Sequence, residues 1–414
     1  MKRYNVCSKM WTDLNINFQQ KSFRHCCKQK QTHITINDLN SLEHAVFQHH
    51  PVIIQDRTIS LNENRLPPNC QWCIDTAPNN IMKVWNTWSD DWVDKHKQNL
   101  YTKNYNNYID LDIGKSCDLA CVYCGPWSST TWAKELNQPA ENTIDADWKE
   151  TVLKHLSSYI GNMDKNSEIV FNILGGEPLL ITDTYDIISY LARNCTHFDN
   201  KPDMMITTNL NCKPALLKKL SDTVEETKDV FNWVISVSIE DIGKRAEAVR
   251  YHIDFDRFEH NLKLIKDKVD KIYLTTTFSI LSFSNFHEFV NWSFNIMGHD
   301  GYTKTWDYSL NNVQHGYTDL AYCPKELVDI DLIKQTYIDN IAELTDISNW
   351  RTNQFLDHID NMYQRSGTKE ITSELIGFWQ SMGNRRKINY FDFYPLMSIY
   401  ELYKKENKCL NLQN

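Results

Sequence analysis

The sequence predicts an α/β fold, because strand-like and helix-like segments alternate through the middle of the chain. Short apolar runs rich in β-branched residues, each followed by polar or glycine residues, are typical of buried strands. Alternation of this kind implies parallel pairing through crossover connections, which predicts a partial (β/α)6 TIM-like barrel over residues 105–310. The strands are expected at 168–174, 204–209, 234–241 and 271–280, and helices between them at 181–193, 214–227 and 257–268.

Composition is that of a large water-soluble protein. Of 414 residues, 41% are hydrophobic and 12% aromatic, which is enough for a large core. No run approaches the roughly twenty apolar residues of a membrane span, and the first residues lack the apolar core of a secretion signal. We therefore expect a cytoplasmic location without a membrane partner. In that reducing compartment, 12 cysteines indicate metal ligation rather than disulfides.

The charge distribution bears on nucleic-acid binding. A formal net charge of −9 argues against indiscriminate binding, because neutralising phosphates requires clustered Lys and Arg. Residues 1–50 are nevertheless locally basic, with seven Lys or Arg against three acids. A solvated face is the expected use of that stretch, and a nucleic-acid contact is the alternative.

Three cysteines lie within one short segment, Lys-Ser-Cys117-Asp-Leu-Ala-Cys121-Val-Tyr-Cys124-Gly. Three thiolates at this spacing can ligate three irons of a cubane cluster and leave the fourth iron open. A structural zinc site usually closes with four ligands, commonly in two close pairs, and no fourth Cys or His lies beside this triplet. The incomplete ligand set indicates a metal centre that binds something else.

Polar motifs follow the predicted strands in order after the triplet. Taken alone, Gly-Gly-Glu-Pro is typical of a strand-to-helix turn, with Pro at the helix start and Glu near the helix dipole. The chain resembles the radical S-adenosylmethionine (SAM) superfamily. The resemblance rests on the cysteine triplet, with an aromatic residue before its last Cys, and on the polar motifs that follow the later strands. The residues that carry the resemblance are Cys117, Cys121, Tyr123, Cys124, Gly175, Gly176, Glu177, Asn209, Ser238, Glu240 and Arg250.

The resemblance implies a mechanism and a set of cofactor contacts. A [4Fe-4S] cluster on the three cysteines would bind SAM and reductively cleave it to methionine and a 5'-deoxyadenosyl radical, which abstracts hydrogen from a substrate. Glu177 would accept from the SAM ammonium beside two glycines that allow close backbone approach. Asn209 would lie beside the cofactor, Ser238 and Glu240 at its ribose, and Arg250 at its carboxylate. A reductant such as flavodoxin or ferredoxin would supply the electron.

A second cysteine set lies within residues 1–104. It resembles the twitch-type auxiliary cluster domain of radical SAM proteins, including a group common in bacteriophage genomes. The resemblance implies an auxiliary [4Fe-4S] cluster on four thiolates, with either member of the adjacent pair at 26–27 as one ligand. Structural zinc and buried thiols are the alternatives. The cysteines concerned are Cys7, Cys26, Cys27, Cys70 and Cys73.

The substrate and the last hundred residues are less constrained by pattern. Residues 311–414 are expected to form a mainly helical extension, whose basic and aromatic stretch at 385–395 packs against the barrel mouth or binds substrate. Twitch and related domains accompany peptide modification in the family, so the resemblance implies a peptide or protein side chain as substrate. The alternatives are a nucleobase or small metabolite, or a non-catalytic iron–sulfur or zinc binding module.

Overall fold

The computed structural model of the chain describes residues 7–25, 29–30, 32–42, 47–63, 65–70, 107–141, 143–313, 316–342, 344 and 349–411. Its strands are β1 (Asp13–Asn17), β2 (Ser22–Arg24), β3 (Thr32–His33), β4 (Tyr108–Asp112), β5 (Ala120–Cys121), β6 (Val170–Leu174), β7 (Asp203–Thr208), β8 (Asn232–Ser238), β9 (Arg250–Tyr251), β10 (Lys271–Phe278) and β11 (Trp306–Asn312). Its α-helices are α1 (Lys9–Thr12), α2 (Ile36–Ser41), α3 (Pro51–Glu63), α4 (Thr130–Glu135), α5 (Ala146–Gly161), α6 (Thr182–Asn194), α7 (Pro214–Thr227), α8 (Gly243–Val249), α9 (Phe255–Ile265), α10 (Phe286–Met297), α11 (Ile330–Ile341), α12 (Asn349–Arg365), α13 (Ser373–Arg386) and α14 (Leu396–Asn411).

The chain divides into two compact units. The first comprises residues 1–116, 141–207 and 222–233, and the second comprises residues 117–140, 208–221 and 234–414. In the first unit the strands lie in the order β7-β6-β4-β1-β2-β3. The pairings from β7 to β1 are parallel, whereas β1, β2 and β3 pair antiparallel. The described part of residues 1–104 therefore shares a sheet with strands of the predicted barrel.

Helices α5 and α6 belong to the first unit and follow the expected amphipathic pattern. Asp145 caps α5 by accepting from the backbone N–H of Trp148, one of the first-turn donors that would otherwise lack a partner. The buried side chains of α5 recur at helical spacing, and those of α6 do the same. They are Trp148, Val152, Leu156 and Ile160 in α5, and Thr184, Ile187, Ile188 and Leu191 in α6.

The second unit has its own parallel strands, in the order β11-β10-β8. Burial alternates residue by residue along β10, as the two faces of a pleated strand require. A separate two-stranded antiparallel pair, β5 with β9, joins Ala120 to Tyr251 and Cys121 to Arg250. Helices α11 to α14 follow the last strand. A C-terminal extension beginning at residue 311 stays a prediction.

The alternation predicted from sequence is confirmed. The predicted strand at 234–241 begins two residues earlier and ends at Ser238, and the helix predicted at 257–268 spans 255–265. The helix at 214–227 has the predicted bounds. None of the described helices is both long enough and apolar enough to cross a membrane. Closure of the strands into a partial barrel, and the twitch-like character of residues 1–104, stay predictions.

Candidate metal and cofactor site

The loop that carries the three cysteines is fixed by the first turn of α4. The backbone N–H of Cys117 donates to Thr130 Oγ1 (3.1 Å), and its carbonyl accepts from the hydroxyls of Thr130 (3.1 Å) and Thr131 (2.7 Å). Ser129 caps α4 and donates its own hydroxyl to the carbonyl of Leu119 at 2.6 Å. The capping residues that start the helix therefore also set the path of the loop around Cys117.

Cys121 is the most constrained of the three cysteines. It is 9% exposed and lies in the β5–β9 pair, directly opposite Arg250. Its carbonyl accepts from Trp132 Nε1 at 2.7 Å, and its Sγ lies 3.8 Å from Arg250 Nη1. Burial raises the pKa of the Cys121 thiol to about 12, although the Arg250 charge opposes that rise. A metal that displaces this proton would leave a negatively charged thiolate next to the positively charged guanidinium of Arg250.

A buried ion pair lies next to Cys121. Glu240 Oε2 accepts from Arg250 Nε (3.0 Å) and Nη2 (2.6 Å), and Glu240 Oε1 accepts from the Tyr123 hydroxyl (3.0 Å). Glu240 is 1% exposed and Arg250 is 5% exposed. Burial raises the pKa of the Glu240 carboxyl, and Arg250 opposes that effect. The structure thus brings three predicted cofactor contacts together, in hydrogen bonds with one another.

Asn209 holds the cysteine loop from another side. Its Nδ2 donates to Asp118 Oδ1 at 2.9 Å, and Asn211 Nδ2 donates to Asp118 Oδ2 at 3.2 Å. Asn211 in turn accepts from the backbone N–H of Asp254 at 3.0 Å, just before α9. The segment after β7 therefore fixes the residue next to Cys117.

Gly175 and Gly176 lie in the first unit, after β6, against the backbone of residues 114–116. The N–H of Gly176 donates to the carbonyl of Gly114, and that of Glu177 to the carbonyl of Ser116, both at 2.7 Å. A Cβ on Gly175 would lie 2.4 Å from the Gly114 oxygen, and one on Gly176 would lie 2.5 Å from the Ser116 oxygen. Close approach of one backbone to another thus explains both glycines.

Glu177 is 1% exposed and caps a short 3-10 turn at Pro178–Leu180. Its Oε1 accepts from the backbone N–H of Leu179 at 3.0 Å, and Pro178 occupies the first position of the turn. This is the turn geometry that the motif indicates when taken alone. A role of Glu177 toward the SAM ammonium stays a prediction.

Ser238 is the last residue of β8, where it is half-buried and pairs in register with Thr275 of β10. Two residues earlier on the same strand, Ser236 Oγ lies 2.6 Å from Thr275 Oγ1. Ser238 therefore lies at the carboxyl end of a parallel strand, which is the end where α/β folds place their ligand sites.

Residues 111–292 match the model of the radical SAM superfamily. These residues form a radical SAM domain. The match includes Cys117, Cys121 and Cys124 and every predicted SAM contact, and it marks the chain as an enzyme. It implies a [4Fe-4S] cluster and SAM as cofactors.

A local relative is the GTP 3',8-cyclase of Limosilactobacillus fermentum (strain NBRC 3956 / LMG 18251), which is 30% identical over 104 residues. Those residues are 25% of this chain and 26% of that enzyme, so the chain spans about a quarter of the length of this curated relative.

Three solved structures show weak likeness to the chain. Streptococcus suis SuiB bound to SAM gives a TM-score of 0.40 at 18% identity over 63% of this chain and 55% of that one. Streptococcus suis SuiB bound to the precursor peptide SuiA gives a TM-score of 0.39 at 14% identity, over 83% of this chain and 70% of that one. TYW1 with a lysine–pyruvate adduct gives a TM-score of 0.33 at 14% identity, over 60% of this chain and 81% of that one.

The donor set of the radical SAM domain fits a cubane cluster. Among the described residues, no three His, Cys, Asp or Glu side chains are arranged to hold a single metal ion. Three thiols on one short loop are the donor type that iron–sulfur clusters use, and three such ligands leave one iron of a cubane open. Arg250 also supplies an N–H group near Sγ of Cys121, an outer contact that tunes such clusters.

The predicted auxiliary ligands are only partly described. Cys7 and Cys70 are half-buried, whereas Cys26, Cys27 and Cys73 lie outside the described residues. Cys195, Cys212 and Cys323 are buried in the core. The auxiliary cluster stays a prediction.

Pattern-based reasoning missed three residues that the radical SAM domain and its extension place around the cysteines: Asp118, Trp132 and Arg386. Asp118 lies inside the triplet, and its position next to Cys117 is the one available signal. Trp132 donates to the Cys121 carbonyl, and Arg386 stacks on the Trp132 ring. Both contacts depend on tertiary packing, which no local pattern encodes.

Proposed function

We propose that the chain is a radical SAM enzyme in which Cys117, Cys121 and Cys124 hold the SAM-binding [4Fe-4S] cluster. The single observation that supports this most is the cysteine loop itself, three thiols on one loop whose backbone is fixed by α4, β9 and Asn209. Such preorganisation favours a cluster site, because the ligands need not be ordered again when metal arrives.

When bound, a reduced cluster supplies one electron to SAM, which breaks into methionine and a 5'-deoxyadenosyl radical that takes a hydrogen atom from the substrate. A reductant of the flavodoxin or ferredoxin class supplies that electron. The protein's part is to position the cofactors and keep water away from them. Half-buried Tyr123 and the buried residues Glu240 and Arg250 form a hydrogen-bonded cluster beside Cys121 that serves both purposes.

The cofactor contacts are proposed on the family resemblance, residue by residue. Gly175, Gly176 and Glu177 serve the methionine part of SAM, Ser238 serves the ribose, and Asn209 lies alongside. Glu240 and Arg250 already bind each other, so we propose that they reach the ribose and carboxylate while keeping their ion pair. The pair then supplies fixed charges without a reorganisation cost on binding.

The decisive experiment is anaerobic reconstitution with iron and sulfide, followed by chromatography for 5'-deoxyadenosine after SAM and dithionite are added. We expect product from the wild type and none from a triple C117A/C121A/C124A variant. The matched control is C195A, which removes a core cysteine outside the loop and should leave product formation intact. Bound zinc with no product from the wild type would reject the enzyme and favour a binding module.

The same preparation tests the auxiliary cluster, which we propose on Cys7, Cys26 or Cys27, Cys70 and Cys73. Two cubane clusters correspond to about eight irons per chain and one cluster to about four. A fall to about four irons in a C70A/C73A variant, with the cysteine-loop cluster retained, is the expected result. About four irons in the wild type would remove the auxiliary cluster from the proposal.

For the substrate we propose a peptide or protein side chain, which rests on the resemblance to twitch-containing enzymes. The second candidate is a nucleotide or small metabolite, favoured by the local match to an enzyme named for GTP. Incubation with SAM, dithionite and either candidate class distinguishes them, because only the true substrate should increase 5'-deoxyadenosine and acquire a changed mass.

A further inference from the structure

Arg386, the last residue of α13, is a buried cation held between two aromatic rings. Its side chain is fully buried, with Cζ 4.5 Å from the ring centroid of Trp132 and 4.7 Å from that of Tyr251. Cation–π contacts of this kind strengthen when water is excluded. The C-terminal extension therefore places a permanent positive charge among residues of the radical SAM domain.

The charge of Arg386 is balanced by one carboxylate. Its Nε lies 3.2 and 3.1 Å from the two carboxylate oxygens of Glu135, and Nη1 donates to the Tyr390 hydroxyl at 3.1 Å. Nη2 lies 3.0 Å from Glu135 Oε2, at an angle that makes no further hydrogen bond. The side chain of Glu135 is 13% exposed, so neither charge is well screened by solvent.

Both rings that enclose Arg386 belong to segments that fix Cys121. Trp132 donates Nε1–H to the Cys121 carbonyl at 2.7 Å. Tyr251 lies in β9, where it pairs with Ala120, and its hydroxyl donates to the Arg386 carbonyl at 3.4 Å. Arg386 thus connects to the cysteine loop through two independent contacts, one through the α4 side chain and one through the β5–β9 pair.

We propose that Arg386 and Glu135 together set the reduction potential of the cluster on the cysteine loop. This inference rests on the proposed function and extends it to the C-terminal extension. Reduction adds one negative charge to the cluster, so a nearby cation favours reduction and a nearby carboxylate opposes it. The guanidinium of Arg385 also reaches this carboxylate, with Nε 3.1 Å from Glu135 Oε1, but its side chain is 34% exposed and therefore screened by solvent. The buried charges of Arg386 and Glu135 nearly cancel as a pair, and removal of either one exposes the other.

Arg386 acts in this proposal as a positioning residue rather than a catalytic one. Arg386 stacks on Trp132, whose ring donates to the Cys121 carbonyl, and its charge acts through space. These two roles predict different outcomes for a lysine replacement, because lysine keeps the charge but lacks the planar guanidinium that stacks on rings.

The test is an EPR-monitored redox titration of the reconstituted full-length protein without SAM, in the wild type and in R386Q, E135Q, the double variant and R386K. We expect R386Q to disfavour reduction by about threefold or more, which is about 28 mV for a one-electron couple, and E135Q to favour it by a similar factor. The reduction potential of the double variant should return close to that of the wild type. The potential of R386K should lie closer to the wild-type value than that of R386Q does.

Shifts of the same sign in R386Q and E135Q, or no shift in either, would overturn the proposal. A shift in R386K as large as that in R386Q would also overturn it, because stacking rather than charge would then set the potential. If R386Q fails to retain iron, E135Q alone decides, since it must raise the potential. Failure of the proposed function is distinct: the wild type itself would then give no [4Fe-4S] signal on reduction.

Discussion

Arg250 and Cys121 lie opposite each other in the β5–β9 pair, and the same guanidinium that approaches Sγ of Cys121 at 3.8 Å binds Glu240 at 2.6 Å. The buried side chain of Arg250 therefore links the cysteine loop to the segment that follows β8. Because Glu240 is 1% exposed, it depends on Arg250 for its charge compensation.

Replacement of Arg250 by glutamine should strongly destabilise the protein, because it leaves a buried carboxylate without its partner. Breaking such a pair costs about 3–5 kcal/mol, measurable as a lower urea midpoint. The double variant E240Q/R250Q should lose less stability than R250Q, since no charge is left unpaired. The control is K244Q in the exposed Lys244–Glu247 pair, which should leave the midpoint unchanged. Equal losses in R250Q and the double variant would contradict the prediction.

Replacement of Trp132 by phenylalanine should weaken the cysteine loop. The change removes the donor to the Cys121 carbonyl and weakens the contact with Arg386, so the variant should retain less iron. Trp379 is an apt control, because it is also buried but its Nε1 has no hydrogen-bond partner. W132F should be about 1–2 kcal/mol less stable than W379F, the net value of a hydrogen bond and a cation–π contact. Equal stability and equal iron content in the two variants would argue against the role given to Trp132.

Replacement of Gly176 by alanine should disrupt the turn after β6. The new Cβ would lie 2.5 Å from the backbone oxygen of Ser116, and backbone cannot move away as a flexible side chain can. We expect a loss of about 2 kcal/mol or more in the free energy of unfolding. Gly161, the exposed last residue of α5, is the control: a Cβ there meets nothing within 4 Å, and G161A should change the free energy of unfolding by less than about 0.5 kcal/mol. A stable, fully folded G176A would show that the 114–116 backbone yields easily.

The carboxyl of Asp110, a half-buried residue of β4, should make stability depend on pH. Burial raises its pKa to about 6, although Asn172 Nδ2 donates to it at 2.7 Å. Because the folded pKa is raised, the stabilising contribution is complete below pH ~4, where the unfolded carboxyl is also protonated, and is lost as pH rises to about 6. The loss amounts to about 2–3 kcal/mol.

Urea unfolding at several pH values between 4 and 8 checks this. The unfolding free energy of D110N should fall less over that range than that of the wild type. A D164N variant, at an exposed turn, should follow the wild-type profile. Parallel profiles for D110N and the wild type would mean that the Asp110 carboxyl does not carry this pH dependence.

The sequence was informative where the structural cause is local. Strand runs, helical spacing and the cysteine triplet are properties of short segments, and the structure has β6, α7 and β10 close to their predicted bounds. The register of β1 against β4 could not be predicted, because Asp13–Asn17 is short, half polar and buried at every position. Some of its side chains find partners across the sheet, as Asn17 does with Asp112.

Partners far apart in the chain limited the prediction of the site. Arg386 lies 251 residues from Glu135, and a basic residue in a basic segment gives no signal of burial. Glu240 and Arg250 were found as motif residues, but no motif predicts their mutual ion pair, which joins the segment after β8 to β9. Motifs thus identify which residues carry chemistry, whereas tertiary structure decides which of them bind one another.

The contact between Arg386 and the rings of Trp132 and Tyr251 also has a consequence for biogenesis. Domains fold progressively from the N-terminus as the ribosome synthesises them. The segment from Cys117 to Cys124 emerges early, but its surroundings are complete only after Arg386 and Tyr390 have been translated. The proposed cluster would therefore bind stably only after α13 has been translated, and not as soon as the cysteines emerge.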